Sequence, residues 1–228
     1  MALDVPGATQ ARQIVCALGE AVTTYKVGKQ LFTAEGPGIV RDLVASGRKV
    51  FLDLKYHDIP NTVASAVKAA AELRVSMLTV HASGGSKMLN AAVEAASQSA
   101  AKPMILAVTV LTSLSDSDLQ EIGISGGVLS QVLRLGALAR SAGCGGLVAS
   151  AHEARELRRE LGEGFEIVTP GVRPAGAAVG DQARVLTPAA AIAAGATRLV
   201  VGRPITEAEN PLRSANEVLM GIGAGTAA

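Results

Sequence analysis

Short apolar runs alternate with longer segments of helical period along this whole chain, and this alternation restricts the fold more than any other feature. The runs that predict β-strands are residues 2–4, 24–28, 49–55, 76–80, 103–110, 145–149, 166–169 and 198–201. Strands that alternate with helices predict a parallel sheet with helical crossovers. In a chain of 228 residues, eight such repeats predict an α/β protein with a (β/α)8 barrel, the TIM-barrel architecture.

The same alternation shows no linker and no low-complexity block, so we predict a single barrel domain over residues 1–228. The glycine-rich end, residues 221–228, is predicted to be a frayed tail of that domain. An open doubly wound sheet is the alternative for a chain of this kind. That fold usually has a glycine-rich turn after its first strand, whereas a Val-Pro-Gly sequence follows Asp4 here.

The composition narrows the classes of function. Hydrophobic residues make up 49% of the chain and charged residues 18%, which favours a buried core over disorder. A net charge of +1 and an aromatic content of 2% argue against nucleic acid or an anionic membrane as a partner. There is no signal-peptide pattern and no apolar run of transmembrane length, so we predict a cytoplasmic protein. Cys16 and Cys144 form no CxxC pair and are predicted to be buried small hydrophobic residues.

Two acids and a base stand at the end of the third predicted strand. Asp53 and Lys55 interrupt an apolar run, and Asp58 follows three residues later. Residues i and i+2 of a strand share one face at a spacing of roughly 7 Å, so Asp53 and Lys55 are expected to point the same way. Burying such charges is costly unless they are paired or functional. On this spacing alone, a salt-bridged strand end and a reactive site are equally good interpretations.

Polar residues also stand at the ends of the neighbouring predicted strands. Asp4 ends the first strand, Lys26 lies in the second and His81 follows the fourth. In a (β/α)8 barrel the catalytic groups lie at the carboxyl ends of the strands. Taken singly, each residue is explained as a helix cap or a solvated group, and for His81 we expect a structural role. Taken together, Asp4, Lys26, Asp53 and Lys55 are expected to meet on one rim, because they come from three consecutive strands.

The last two predicted strands lead into sequences rich in glycine, proline and arginine. A long loop after strand seven contains Arg173 and Gln182, and strand eight is followed by Gly202 and Arg203. Barrels frequently bind a substrate phosphate at this place. A guanidinium group is a planar, permanently charged donor that matches a phosphate. We therefore predict a phosphate site here, and the alternative is an ordinary surface loop with two arginines.

Seven motifs occur in order along nearly the full length of the chain. The most specific is DLKYHDIPNT, residues 53–62. The others are LD at 3–4, KVG at 26–28, LTS at 111–113, TPGVRP at 169–174, DQ at 181–182 and VGRP at 201–204. Together they resemble the motifs of the orotidine 5′-phosphate decarboxylase family. The resemblance implies a cofactor-independent enzyme of pyrimidine biosynthesis that converts orotidine 5′-phosphate to uridine 5′-phosphate and carbon dioxide.

The resemblance also implies a role for each matched residue. Lys55 resembles the proton donor to C6 of the pyrimidine. It belongs to a charged tetrad with Lys26 and Asp53, completed by the partner subunit's Asp58, which implies a homodimer with shared active sites. The other matched positions are Ile59 and Thr62 for the neighbouring site, Asp4 and Lys26 for the ribose, Thr112 and Ser113 for the pyrimidine and its loop, and Arg173, Gln182, Gly202 and Arg203 for the phosphate.

Two alternatives remain open. Related Mg²⁺-dependent sugar-phosphate enzymes (3-keto-gulonate 6-phosphate decarboxylase and hexulose-phosphate synthase) share the Asp-x-Lys-x-x-Asp strand. They lack the strand-two lysine and the HDIPNT continuation, which are both present here. A non-catalytic nucleotide-phosphate binder is the second alternative, and the intact set of lysines and aspartates argues against it. The sequence shows neither a metal cluster nor a cofactor fingerprint, so we expect no metal and no cofactor.

Overall fold

Seven parallel β-strands hydrogen-bond in chain order within the part of the chain that the computed structural model describes, residues 1–173 and 186–226. They are β1 (Thr24–Gly28), β2 (Lys49–Tyr56), β3 (Met77–His81), β4 (Met104–Val108), β5 (Gly146–Val148), β6 (Glu166–Pro170) and β7 (Arg198–Val200). Each corresponds to one of the predicted strands from the second to the eighth. An all-parallel sheet in chain order, with helices between its strands, is the arrangement of a (β/α)8 barrel.

Residues 1–3 close this sheet into a barrel. The N–H of Ala2 donates to the carbonyl of Val201 at an N···O distance of 2.7 Å, and Ala2 also forms a parallel bridge with Lys26 of β1. The predicted first strand is therefore reduced to one bridge pair. The chain leaves the sheet early because Pro6 has no N–H to donate and the first helix begins soon after it. With this shortened strand, the prediction of a (β/α)8 barrel is confirmed.

Helices surround the sheet. They are α1 (Ala8–Leu18), α2 (Lys29–Glu35), α3 (Gly38–Ala45), α4 (Pro60–Glu72), α5 (Gly85–Ser97), α6 (Asp116–Glu121), α7 (Gly127–Ser141), α8 (Ala154–Leu161), α9 (Pro188–Ala193), α10 (Arg203–Thr206) and α11 (Pro211–Thr226). Two helices, α2 and α3, lie between β1 and β2. The break occurs because Gly36 adopts a φ of 64° and a proline follows it. Helix α11 continues to Thr226, so the frayed tail expected from residue 221 is helical up to that residue.

The main core lies between the strands and the helices. In α4, Val63, Val67 and Ala70 are buried at intervals of three and four residues and form one apolar stripe. The outward-facing strand residues, such as Leu52, pack in the same cluster. Alternate strand positions point into the barrel, where a smaller cluster contains Phe51, Met77, Leu106 and Val168. This alternation decides which side chains reach the centre of the molecule.

The two cysteines differ in their surroundings. Cys144 is buried, and burial raises the pKa of its thiol to about 12. Cys16 is exposed on α1, because Ile14 and Leu18 occupy the buried stripe of that helix. The prediction of two buried cysteines is therefore wrong for Cys16. Across the described ranges, no helix is both long and apolar enough to cross a membrane.

Candidate active site

Four charged side chains are in contact at one rim of the barrel and form what we call the charged cluster: Asp4, Lys26, Asp53 and Lys55. Lys26 Nζ lies 2.7 Å from Asp4 Oδ1 and 3.7 Å from Asp53 Oδ2. Lys55 Nζ donates to both carboxylate oxygens of Asp53, at 2.9 Å each. Acid and base alternate within the charged cluster, so each carboxylate adjoins at least one ammonium group. The structure therefore brings together the four residues that the sequence places on one rim.

The four side chains of the charged cluster differ in burial, and they form an inner pair and two outer residues. The side chains of Lys26 and Asp53 are only 10% and 12% exposed, whereas those of Lys55 and Asp4 are 25% and 52% exposed. Burial by itself raises the pKa of Asp53. The charges of Lys26 and Lys55 and hydrogen bonds from Lys55 and Thr79 outweigh that effect and hold the pKa below its usual range. Asp53 is therefore a stable anion between two cations.

The contact between Asp4 and Lys26 depends on a glycine at the end of β1. A Cβ added to Gly28 would lie 2.9 Å from both Asp4 Oδ1 and Lys26 Nζ, closer than such atoms approach in proteins. The backbone of Gly28 is extended, with φ of −94° and ψ of −177°, so no unusual dihedral angle requires glycine there. The lack of a side chain at this position is what lets the two charged groups meet.

An irregularity in β2 presents Lys55 to the rim. Leu52 pairs with Leu78 of β3, but the next paired residue of β2 is Tyr56, which faces Val80. Three residues of β2 therefore lie opposite the single residue Thr79, as in an enlarged β-bulge. Lys55 has a φ of 53°, in the left-handed region that a lysine rarely adopts. The strained backbone lies at the residue whose ammonium group faces the cavity.

Thr79 lies inside this bulge. Its hydroxyl group accepts the N–H of Lys55 at 2.9 Å and donates to Asp53 Oδ1 at 2.9 Å. The residue is completely buried. No motif in the sequence indicated it. The only available signal was a threonine in the middle of an otherwise apolar strand, which is equally typical of a plain β-strand.

Two arginines follow the last two strands, Arg173 after β6 and Arg203 after β7. Arg173 is only 7% exposed, and its Nε has no hydrogen-bond partner among the described residues. Burial lowers the pKa of Arg173, the charge of Arg203 lowers it further, and Glu207 opposes both. Two guanidinium groups that repel one another, one with an unused buried donor, form a site suited to an anion with several oxygens.

A cavity of about 580 Å³ is lined by the charged cluster and by the two arginines. Its apolar lining includes Phe51, Val108, Val148 and Val200, from strands β2, β4, β5 and β7. Its polar lining includes Asp4, Lys26, Asp53, Lys55, Thr112, Arg173, Gly202 and Arg203. A volume of this size suits a small-molecule ligand. Because lysines, arginines and apolar side chains line the same cavity, it suits an anionic ligand that also has an apolar part.

The other predicted site residues do not line this cavity. Asp58 and Thr62 are exposed, and Ile59 is 66% exposed with its N–H bound to Asp58 Oδ1 at 2.6 Å. Ser113 is also exposed and lies outside the lining. Gln182 falls outside the described residues. The cavity of one chain therefore contains only part of the predicted set.

Comparison with known proteins identifies the family. The model of the Orotidine 5'-phosphate decarboxylase / HUMPS family matches residues 1–218. The chain belongs to this family. It is 53% identical to the orotidine 5'-phosphate decarboxylase of Idiomarina loihiensis, over 98% of this chain and 96% of that protein. It is 52% identical to the same enzyme of Halorhodospira halophila, over 98% of this chain and 95% of that protein.

Solved structures of the orotidine 5'-phosphate decarboxylase family share the barrel. The Lactobacillus acidophilus enzyme superposes with a TM-score of 0.87 at 37% identity, covering 98% of this chain and 97% of the other. The Pyrococcus horikoshii enzyme gives 0.80 at 25% identity, covering 97% of both chains. The resemblance inferred from the motifs is therefore confirmed for nearly the whole chain.

His81 lies next to the charged cluster but is not part of it. It lies at the end of β3, with its ring centroid 5.4 Å from that of His57. Burial lowers the pKa of His81 to about 4, and the charges of His57, Lys55 and Lys29 act in the same direction. The imidazole is therefore neutral near pH 7. Its position agrees with the structural role expected from the sequence, which stays a prediction.

Proposed function

We propose that this chain is an orotidine 5′-phosphate decarboxylase, a carboxy-lyase that forms uridine 5′-phosphate and carbon dioxide without a cofactor. One observation carries the proposal: a single cavity is lined both by the charged cluster of Asp4, Lys26, Asp53 and Lys55 and by two arginines. Orotidine 5′-phosphate has a carboxylated pyrimidine at one end and a phosphate at the other. The relatives named for this reaction match the chain nearly end to end.

Lys55 is the proposed proton donor. When the bond between C6 and the carboxylate breaks, the electron pair stays on C6, and no conjugated electron sink receives it. A preorganised ammonium group beside C6 stabilises this charge more strongly inside a cavity than in water. Lys55 Nζ then gives a proton to C6 and recovers one from solvent. Asp53, which accepts hydrogen bonds from Lys55 Nζ with both oxygens, fixes the direction of the ammonium group.

Further groups of the chain are proposed to hold the nucleoside. Asp4 and Lys26 bind the ribose hydroxyl groups, which are donors and acceptors that suit a carboxylate and an ammonium. Thr112 lines the cavity and contacts the pyrimidine. Ser113, the next residue along the chain, contributes to the same ring and its loop. These contacts fix C6 next to Lys55, and such positioning lowers the barrier without any covalent step.

The phosphate is proposed to bind at the arginine side. Arg173 and Arg203 supply the guanidinium groups, Gly202 leaves room beside them, and Gln182 comes from the loop after β6. The buried Nε of Arg173 that lacks a partner in the described part of the chain supports this assignment. Binding energy from a remote phosphate is useful because it can be coupled to ordering of the reacting end.

The active protein is proposed to be a cytoplasmic homodimer with shared sites. Asp58, Ile59 and Thr62 are exposed beside the rim of their own barrel, and Ile59 presents a large apolar side chain to solvent. These features suit residues that enter a neighbouring cavity. A carboxylate from the partner would complete the charged tetrad around Lys55. It would also adjoin the substrate carboxylate, which the reaction removes.

An absorbance assay tests the proposed function directly. Purified protein is mixed with orotidine 5′-phosphate, the loss of the orotate chromophore is followed, and uridine 5′-phosphate is identified by chromatography. Complete conversion that is unaffected by EDTA is the expected result. Activity that EDTA abolishes would favour the Mg²⁺-dependent sugar-phosphate enzymes instead. Tight binding of the nucleotide without turnover would favour a binding protein.

A further inference from the structure

We propose that Thr79 is a positioning residue for the decarboxylation, because its one hydroxyl group fixes the Asp53 carboxylate and the Lys55 backbone relative to each other. The proposal rests on the proposed roles of Asp53 and Lys55. Thr79 does not line the cavity and is completely buried, so it acts only through these two neighbours. It is therefore distinct from the groups that touch the substrate.

The direction of both hydrogen bonds follows from the chemistry of the groups. The backbone N–H of Lys55 can only donate, so the Thr79 hydroxyl oxygen accepts it at 2.9 Å. The hydroxyl proton is then free for Asp53 Oδ1, also at 2.9 Å. Asp53 Oδ1 in turn accepts from Lys55 Nζ at 2.9 Å. Thr79 thus joins the main chain of Lys55 to the carboxylate that aims its side chain.

The bulge in β2 explains why such a link is needed. Regular pairing stops at Leu52 and resumes at Tyr56, so the N–H of Lys55 has no partner in the β-ladder. Lys55 also holds a φ of 53°, which is unfavourable for a residue with a Cβ. A strained conformation persists only where its surroundings specify it. The Thr79 hydroxyl satisfies the one backbone donor that a relaxed strand would have paired differently.

The pKa of Asp53 depends on the charged groups around its carboxylate and on the hydrogen bond from Thr79. Lys26 of β1 and Lys55 of β2 are the cations in contact with it, and the neutral His81 lies two residues beyond Thr79 on β3. The hydrogen bond from Thr79 is one of the interactions that lower the pKa of Asp53. Removing it raises that pKa. Activity that needs ionised Asp53 is then lost at a higher pH as the solution is acidified.

The test compares Thr79→Val, which keeps the shape and removes the hydroxyl, with Thr79→Ser, which keeps the hydroxyl. In Thr79→Val we expect kcat to fall about 10- to 100-fold while KM changes less than about threefold, since the substrate contacts remain. The acidic limb of the kcat profile should move to higher pH. Thr79→Ser should recover kcat to within about threefold of the wild type. Thr79→Ala removes the same hydroxyl with a smaller side chain and gives the same comparison if the valine variant does not fold.

Thr169→Val is the matched control. Thr169 is a completely buried strand threonine whose hydroxyl has no partner among the described residues, so within that part of the chain the same substitution removes no hydrogen bond. Its kcat should match the wild type. A Thr79→Val or Thr79→Ala enzyme with wild-type kcat and an unmoved pH profile would overturn the proposal, provided that Lys55→Ala is inactive. If Lys55→Ala is itself active, the proposed function of Lys55 has failed instead.

Discussion

Lys55 meets two requirements that normally oppose each other. A proton donor must face the substrate, and its side chain is one-quarter exposed to the cavity. It must also be held in one direction, and both oxygens of Asp53 accept hydrogen bonds from its ammonium group. The left-handed backbone at Lys55 allows the side chain to satisfy both requirements. The catalytic proposal at the scale of the residue therefore depends on this one ammonium group.

Replacing Lys55 by alanine should remove nearly all turnover, because no other described group is placed to protonate C6. Affinity for uridine 5′-phosphate should stay within about tenfold, or about 1.4 kcal/mol, since the phosphate and ribose contacts remain. Steady-state kinetics and calorimetric titration measure the two quantities. Lys49→Ala, at the exposed opposite end of β2, is the control and should behave as the wild type. Substantial decarboxylation by Lys55→Ala would refute the assignment.

Replacing Arg203 by alanine should weaken binding of uridine 5′-phosphate by about 2 to 3 kcal/mol, the usual effect of losing charge-assisted hydrogen bonds. Binding of uridine, which has no phosphate, should hardly change. Calorimetric titration with both ligands measures the difference. The control is Arg213→Ala on α11, where the arginine is exposed and pairs with Glu217. An equal loss of affinity for both ligands would show that Arg203 does not recognise the phosphate.

His81 predicts a specific dependence of stability on pH. Burial and nearby cations lower its pKa from 6.5 to about 4, so the unfolded chain binds a proton in this interval and the folded chain does not. Stability should therefore fall as the pH is lowered through this window. His81→Gln should lose less stability than the wild type between pH 7 and about pH 5, measured by urea unfolding. The exposed His152 gives the control variant His152→Gln, and a pH-independent difference at His81 would contradict a neutral, half-buried imidazole.

At the scale of the element, the end of β1 determines whether the contacts within the charged cluster are kept. Strand β1 carries Lys26 inward, and Gly28 gives the room in which Lys26 reaches Asp4. A methyl group there would displace the tips of two side chains, whereas the strand backbone would remain in place. Damage to the site is thus expected without unfolding.

Gly28→Ala should therefore lower kcat/KM by about tenfold or more while changing the free energy of unfolding by less than about 1 kcal/mol. Kinetics with orotidine 5′-phosphate and urea denaturation measure the two effects. Gly38→Ala is the control, because a Cβ at that exposed helical position meets no atom within 4 Å. If Gly28→Ala kept the wild-type kcat/KM, the contact between Asp4 and Lys26 would have no part in the reaction.

The elements that were predicted well are those whose sequence pattern is local. Strand β1 has the predicted bounds, Thr24–Gly28, because threonine, tyrosine and valine favour a strand and a glycine ends it. The bulge of β2 was not predicted, because it depends on a hydrogen bond to Thr79 on another strand. The break before α3 also has a local cause, Gly36 and the proline that follows it. The charges of the site were found because strand order and side-chain alternation determine which residues meet.

At the scale of the whole molecule, the barrel brings most of the predicted site to one cavity but leaves one carboxylate outside. Asp58 is exposed and does not line the cavity of its own chain. This follows from its position beyond the end of β2, where the chain turns away towards α4. Among the described residues of one chain, Lys55 therefore has one carboxylate neighbour, Asp53, where the proposed tetrad has two. The proposed homodimer with shared sites would account for this arrangement.

Mixing two inactive variants tests this account most directly. Lys55→Ala and Asp58→Ala should each be inactive alone. A mixed dimer has both defects in one site and neither defect in the other, so random exchange of subunits should restore about one-quarter of the wild-type activity per subunit. Activity is measured with orotidine 5′-phosphate after exchange, with differently tagged chains to count the mixed dimers. A mixture that forms mixed dimers and stays inactive, or an active Asp58→Ala enzyme, would contradict the shared site.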